Sequence, residues 1–88
     1  MLDLQKLETF RVVALRHNFT RAAQELGYSQ SSVTAHIKAL ERELGAPLFL
    51  RYRFSRTVVL TEVGRRTLEY AGRLLALADE TKAAVLKA

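Results

Sequence analysis

Residues 29–44 show two chemically different faces when they are placed at the 100° spacing of an α-helix. The apolar residues are spaced four, three and four apart on one stripe: Val33, Ile37, Leu40 and Leu44. The opposite face is small and hydroxylic at its start and basic further on: Ser31, Thr34, Ala35, Lys38 and Arg42. Such a helix suits the major groove of DNA, although an ordinary surface helix with a solvated polar face shows the same pattern.

The preceding residues predict a first helix over residues 4–16. Asp3 is a suitable N-cap, because its carboxylate can accept from the free amides of the first turn. We expect Asn18 to help end this helix in a left-handed conformation. Apolar residues recur at helical spacing and predict its buried stripe: Leu4, Leu7, Phe10, Val13 and Ala14.

A short second helix is predicted over residues 21–26, with Thr20 as its cap. Its alanines Ala22 and Ala23 allow the close approach that a tight helix crossing requires. Gly27 ends the helix with a positive φ. Ser29 is predicted to cap the long helix that follows over residues 30–44. This order predicts a helix-turn-helix whose second helix reads the major groove.

Two short apolar runs follow the long helix at residues 48–50 and 58–60. Between them lies a polar segment with three arginines and no acidic residue. This pattern predicts a two-stranded hairpin, or wing. Its arginines would reach phosphates or a narrow minor groove, although solubility alone would also explain them.

Thr61 is predicted to cap a last helix that runs to the end of the chain, roughly 39 Å at 1.5 Å per residue. A small domain cannot cover so long a helix, so we expect a homodimer through it, or contact with a further domain. The residues predicted for dimerisation are Leu68, Ala71, Leu74, Leu75, Ala78 and Val85. The expected fold is mainly α: a winged helix-turn-helix with a three-helix core over residues 1–60 and a linker helix over residues 61–88.

Composition limits the function classes. The 14 basic and 9 acidic residues give a net charge of +5, which favours a polyanionic partner. The absence of cysteine excludes disulfides and thiolate metal sites, and His17 and His36 are isolated. We therefore expect no metal, no cofactor and no enzyme activity. No signal peptide or membrane span is predicted, so no membrane partner is expected and the protein should be cytoplasmic.

Several motifs occur together along the chain. They are FTRAA at 19–23, LGYSQ at 26–30, ELG at 43–45, PLF at 47–49 and LTEVG at 60–64, with Val33, Thr34, Ile37, Leu40, Glu41 and Arg51. Across essentially all 88 residues this combination resembles the N-terminal domain of LysR-type transcriptional regulators. The resemblance implies a bacterial regulator that binds double-stranded DNA at an inverted repeat, associates with the nucleoid and dimerises antiparallel through its linker helix. It also implies a small-molecule effector that binds only to a C-terminal domain beyond this chain, so we expect effector control to be absent here.

The resemblance assigns site residues position by position. The predicted base contacts, among which a glutamine amide can pair with adenine, are Gln30, Ser31, Thr34, Ala35 and Lys38. The predicted backbone and wing contacts are Thr20, Arg21, Ser29, Ser32, Arg51, Arg53 and Arg56. The sequence departs from the family pattern, which often has proline at position 31, a larger polar residue at 35, glutamine at 36 and glycine in the wing. For His36, DNA contact and packing both remain open, and Phe54 is near the tip of the glycine-free wing.

Two alternatives remain. One is a protein-interaction module in which the winged helix binds a protein and the long helix oligomerises. The other is the DNA-binding domain of a molybdate-regulator-like protein, which shares the winged helix. Strong salt dependence of duplex binding would distinguish a DNA-binding protein from the interaction module, because phosphate contacts release counterions.

Overall fold

The computed structural model describes residues 1–87 as a helical domain with a small antiparallel sheet. Its helices are α1 (Leu4–Arg16), α2 (Phe19–Leu26), α3 (Gln30–Leu44) and α4 (Glu62–Lys87), and its strands are β1 (Phe49–Arg51) and β2 (Val58–Leu60). This confirms the predicted mainly α winged helix-turn-helix with a long last helix. Residue 88, where that helix was predicted to end, lies outside the described residues.

Side chains close the helix ends at several of the predicted positions. The Asp3 carboxylate accepts hydrogen bonds from the amides of Gln5 and Lys6 at 2.7 and 3.2 Å. The hydrogen bond from the Lys6 amide is the main reason why the pKa of Asp3 is lowered. Ser29 accepts from the amide of Ser32 at 3.1 Å and caps α3. Gly27 ends α2 with a φ of 72°, as its position predicted.

The junction between α1 and α2 differs from the prediction. His17, not Asn18, adopts the left-handed conformation, with a φ of 55°. Asn18 is extended, and its side chain accepts from the amide of Arg21 at 2.9 Å. Asn18 is therefore the cap of α2, and Thr20 lies inside the first turn. With the cap two residues earlier, Phe19 enters the helix and is buried.

The core forms where α1, α2, α3 and the base of the wing meet. The apolar stripe of α3 is completely buried at Val33, Ile37 and Leu40, while Leu44 at its end is partly exposed. On α1 the predicted stripe is confirmed except at Leu4, which is 45% exposed. Helix α1 packs against α2, α3 and α4, so its buried arc is wider than one stripe and also includes Thr9 and Val12, which were not predicted.

The wing is anchored to the helices by apolar and backbone contacts. Strand β1 pairs with β2 so that Phe49 lies opposite Leu60. The Phe49 ring lies 5.4 Å from Phe10 and 5.7 Å from Phe19, between centroids. At the other strand, the amide of Val58 donates to the carbonyl of His17 at 3.0 Å. The hairpin therefore rests on the α1–α2 junction.

Helix α4 begins against the backbone of the wing. Thr61 caps it by accepting from the Gly64 amide at 2.9 Å, and its own hydroxyl donates to the Pro47 carbonyl at 2.7 Å. A Cβ atom on Gly64 would overlap the carbonyl oxygen of Leu48. Only 1% of Ala71 is exposed, so the first turns of α4 belong to the packed core.

The burial of Ala71 corrects the predicted set of dimerisation residues. Its side chain is already covered within the chain, and Leu68 also packs against the core. Both residues lie on the apolar side of α4, which faces α1 over the first turns of the helix.

Within residues 1–87, no helix combines the length and the apolar character needed to cross a membrane.

Candidate nucleic-acid interface

The exposed face of α3 carries the side chains predicted to contact bases. Gln30, Ser31, Ala35 and Lys38 are exposed, and Thr34 is half-buried. The opposite side of the helix is held in the core, so this face is fixed in direction relative to the domain. It forms a small, polar and basic surface of the shape that a major groove admits.

The helix-turn-helix brings two predicted contact residues together. The Thr20 hydroxyl donates a hydrogen bond to the side-chain oxygen of Gln30 at 3.2 Å. The Gln30 oxygen has a second lone pair, so its side-chain amide can still accept one hydrogen bond and donate two at a base edge. The same two residues line a cleft between α2, α3 and the wing, of about 210 Å³, together with Phe19, Thr34, Arg51, Ser55, Arg56 and Val58.

Serine hydroxyls cluster at the N-terminus of α3. Ser29 caps the helix, and its hydroxyl lies 2.9 Å from that of Ser32 and 3.1 Å from that of Ser31. All three serines are exposed. The unpaired amides and positive dipole end of a helix favour an anion, so this end suits a phosphate.

Arginines of the wing are held by aromatic rings. The Arg51 guanidinium lies 4.2 Å from the centroid of the Phe19 ring, which is itself buried. This cation–π contact fixes Arg51 at the wall of the cleft. At the tip, the Arg53 guanidinium lies 5.3 Å from the ring of Phe54. Arg56 is the third arginine of the wing, and it lines the same cleft as Arg51.

The predicted contact cations are not neutralised by carboxylates in the part of the chain that the structure describes. None of them forms an ion pair with a carboxylate in residues 1–87: Arg21, Lys38, Arg51, Arg53 and Arg56. The arginines that do form ion pairs lie on α1 and α4: Arg11, Arg16, Arg65 and Arg73. One of these, Arg11, has a raised pKa, chiefly because of its hydrogen bond to Glu8. The positive charge is therefore left available at the helix-turn-helix and wing.

His36 belongs to the packing of α3 on α1. Its Nδ1 atom lies 2.8 Å from the hydroxyl of the buried Thr9 and shares a hydrogen bond with it. The Tyr28 ring meets the imidazole edge-on, with 5.6 Å between ring centroids. The Tyr28 hydroxyl accepts from the side-chain Nε2 of Gln5 at 3.0 Å. Of the two roles left open for His36, the structure supports packing.

Two further residues shape this surface: Glu41, which was not predicted to do so, and Phe54, which was expected near the tip of the wing. The Glu41 carboxylate accepts from the amide of Leu48 at 2.8 Å and ties α3 to the start of the wing. Phe54 has a φ of 66° and takes the left-handed position at the tip. The wing contains no glycine, which indicated that another residue, here Phe54, must take the left-handed position. Nothing in the position of Glu41 along the helix distinguished it from a solvated charge.

Among residues 1–87, no three histidine, cysteine or carboxylate side chains are grouped to hold a metal ion.

Comparisons with known proteins agree with this geometry. Residues 4–65 match the family model described as bacterial regulatory helix-turn-helix protein, lysR family. The chain is 45% identical over 83 residues to the uncharacterized HTH-type transcriptional regulator YwqM of Bacillus subtilis, covering 94% of this chain and 28% of that protein. It is 46% identical over 81 residues to the HTH-type transcriptional regulator CzcR of Bacillus cereus, covering 92% of this chain and 27% of that protein.

A solved structure has the same fold. The crystal structure of the complex of BenM_DBD with catB site 1 DNA superposes with a TM-score of 0.90 at 32% identity, covering 98% of this chain and 93% of that chain. The chain thus spans about a quarter of the length of the curated relatives it matches. It spans nearly the whole of the BenM_DBD chain.

Proposed function

The chain belongs to the lysR family of bacterial regulatory helix-turn-helix proteins, and from this premise we propose that it binds a specific double-stranded DNA site and thereby regulates transcription. The observation that carries the proposal is the exposed polar and basic face of α3, which is flanked by the wing. Within residues 1–87, the cations of this face form no ion pair with a carboxylate. The BenM_DBD structure of the same fold is a DNA complex, which supports the proposal. The proposed role is binding and not catalysis, and it requires no cofactor or metal.

In this proposal α3 lies in the major groove and reads base edges. Gln30 stands at the entrance of the helix with its amide oriented by Thr20, which suits a two-point contact to adenine. Ser31, Thr34 and Ala35 are small enough to bring the helix backbone close to the bases, where methyl and hydroxyl groups contact thymine methyls or bridging waters. Lys38, further along the face, reaches a base or a phosphate.

Backbone contacts would hold the helix in register. Ser29 and Ser32 lie at the N-terminus of α3, and Thr20 and Arg21 lie in the first turn of α2. Hydroxyls and amides at two neighbouring helix starts suit two phosphates of one strand. The wing supplies Arg51, held over Phe19, together with Arg53 and Arg56, for the adjacent minor groove or backbone.

We further propose that α4 forms a homodimer with a second copy of this chain on an inverted-repeat site. The support is apolar surface beyond Ala71: Leu74 and Leu77 are exposed, and a groove between them and the start of α1 is lined by Met1, Leu2 and Leu4. The proposed dimerisation residues are those of the predicted set that remain outside the core: Leu74, Leu75, Ala78 and Val85. Residues 1–60 would bind DNA, and residues 61–88 would link the copies.

The wider setting is likewise a proposal. The chain would act in the bacterial cytoplasm, associated with the nucleoid when bound. The region shared with these relatives is about a quarter of their length, and any small-molecule effector would bind outside that shared region.

Selection of bound sequences from a random duplex pool tests the proposal. We expect enrichment of a paired, inverted motif and binding that weakens steeply with salt. Lys38→Ala should weaken binding, whereas Arg73→Ala, which removes a cation already paired with Glu69, is the matched control and should not. If no sequence is enriched and no duplex binds even at low salt, the proposal is wrong and the protein-interaction alternative stands.

A further inference from the structure

The tip of the wing carries a large apolar side chain that has no role in the fold. Phe54 is 97% exposed and is absent from the hydrophobic core. The other three phenylalanines pack against one another, at Phe10, Phe19 and Phe49. Within residues 1–87, the Phe54 ring pairs with no other aromatic ring, and its cation–π contact is with the guanidinium of its neighbour Arg53.

The backbone at Phe54 makes this placement more unusual. The amide of Ser55 donates to the carbonyl of Tyr52 at 3.1 Å and closes a four-residue turn, with Phe54 at its third position. The φ of 66° there is one that glycine adopts freely and that bulky side chains rarely adopt. Both the conformation and the exposure of the ring are unfavourable in the free protein. A strained residue that stabilises nothing locally points to a role in binding.

The charge around Phe54 indicates the partner. The loop between the strands holds Arg53 and Arg56, Arg51 precedes it, and it contains no acidic residue. A loop with this positive charge is repelled by other cationic surfaces and attracted to phosphate groups. Apolar side chains flanked by arginine are used by proteins that unstack a base step from the minor groove.

We infer that Phe54 is an aromatic wedge that enters the minor groove beside the site read by α3 and partly unstacks one base step. This inference rests on the proposed DNA-binding function and deepens it. Pyrimidine–purine steps unstack most easily, so the wedge adds sequence preference at a step that makes no hydrogen bond with the protein. It also kinks the duplex away from the wing.

Substitutions at position 54 can distinguish the effect of the aromatic ring from the effect of the turn conformation. Phe54→Gly removes the ring and favours the same left-handed backbone, so the loop should keep its shape. Phe54→Leu keeps an apolar wedge. Arg53→Ala keeps the ring and removes a charge. Each variant and the unmodified chain are put through selection from the same random duplex pool, and the selected duplex is then remade with 2-aminopurine at each flanking step.

We expect the unmodified chain to enrich a TA or CA/TG step at a fixed distance from the base-reading motif and to raise 2-aminopurine fluorescence at that step. Phe54→Gly should lose both signals and bind about 10-fold more weakly, with an unchanged salt slope. Phe54→Leu should retain the step preference, and Arg53→Ala should lower the salt slope while the fluorescence rise persists.

The outcomes distinguish the two proposals. If Phe54→Gly selects the same flanks, binds equally tightly and gives the same fluorescence, the wedge is wrong while DNA binding stands. If the unmodified chain enriches no duplex at all, the proposed function and the wedge fail together.

Discussion

The hydroxyl of Thr20 donates to the side-chain oxygen of Gln30 at 3.2 Å and so joins the two helices of the helix-turn-helix through their predicted contact residues. A glutamine on the surface would otherwise sample several rotamers, at a cost in conformational entropy when it binds. The bond limits these rotamers and leaves one lone pair of the oxygen and both amide N–H groups available for a base. In the proposed complex, Thr20 would therefore act on a base through Gln30, in addition to its proposed contact with phosphate.

Gln30→Ala should therefore relax sequence preference at one base pair. We expect a loss of about 1–3 kcal/mol of discrimination at that position, because a two-point contact disappears, with little change elsewhere in the site. Competition binding against a panel of single-substitution duplexes measures this. Thr20→Val, which keeps the shape of the side chain without its hydroxyl, should relax the same position by a smaller amount. Full discrimination in Gln30→Ala would remove this residue from the base-reading set.

Lys38→Ala and Arg53→Ala should weaken specific and random duplexes alike. Each cation is free of intramolecular ion pairs among residues 1–87 and is available to displace counterions from phosphate. The slope of log affinity against log salt should fall by about one for each substitution. Arg73→Ala serves as the control, since Arg73 is paired with Glu69 on α4 at 2.8 Å. A slope unchanged by Lys38→Ala or Arg53→Ala would show that the residue does not contact phosphate.

The local rules of helix geometry were sufficient to predict most of the fold. Caps at Asp3 and Ser29 and the turn at Gly27 were identified because each depends on two or three neighbouring residues. The start of α2 was misplaced because Asn18 and Thr20 are both good caps. The choice between them depends on burial of Phe19 against the wing, which is a tertiary effect.

The site could be predicted as a face but not as a set of contacts. Helical spacing identified the exposed residues of α3, since the apolar stripe fixes which side turns outward. The bond between Thr9 and His36 joins two different helices, and the bond from the Leu48 amide to Glu41 joins α3 to the start of the wing. The spacing of hydrophobic and polar residues along the chain does not predict such pairs. The burial of Ala71 was missed for the same reason, because the spacing of apolar residues along α4 does not reveal which helix covers them.

Gly64→Ala should destabilise the domain even though alanine is the better helix former. The added methyl group would overlap the Leu48 carbonyl, and the Thr61 amide already donates to that oxygen at 3.0 Å. Overpacking against backbone costs about 1–3 kcal/mol of unfolding free energy. Urea denaturation followed by circular dichroism gives the value. Gly72→Ala in the same helix is the matched control, since nothing lies within 4 Å of its Cβ position, and it should stabilise by about 0.5–1 kcal/mol. If both substitutions stabilise, α4 does not approach the wing as closely as described.

Leu77→Lys should shift the chain from dimer to monomer. Leu77 is 57% exposed on α4, and it lines the apolar groove between α4 and the start of α1. A charge placed there would be buried without a partner when a second copy packs against the groove. Analytical ultracentrifugation over a range of concentrations should show the unmodified chain associating and the variant remaining monomeric. Leu15→Lys is the control, because Leu15 is equally exposed at 54% and does not line the groove, so it should leave association unchanged. A monomer at all concentrations for the unmodified chain would contradict the proposed dimer, whereas equal loss in both variants would show that net charge, and not this groove, controls association.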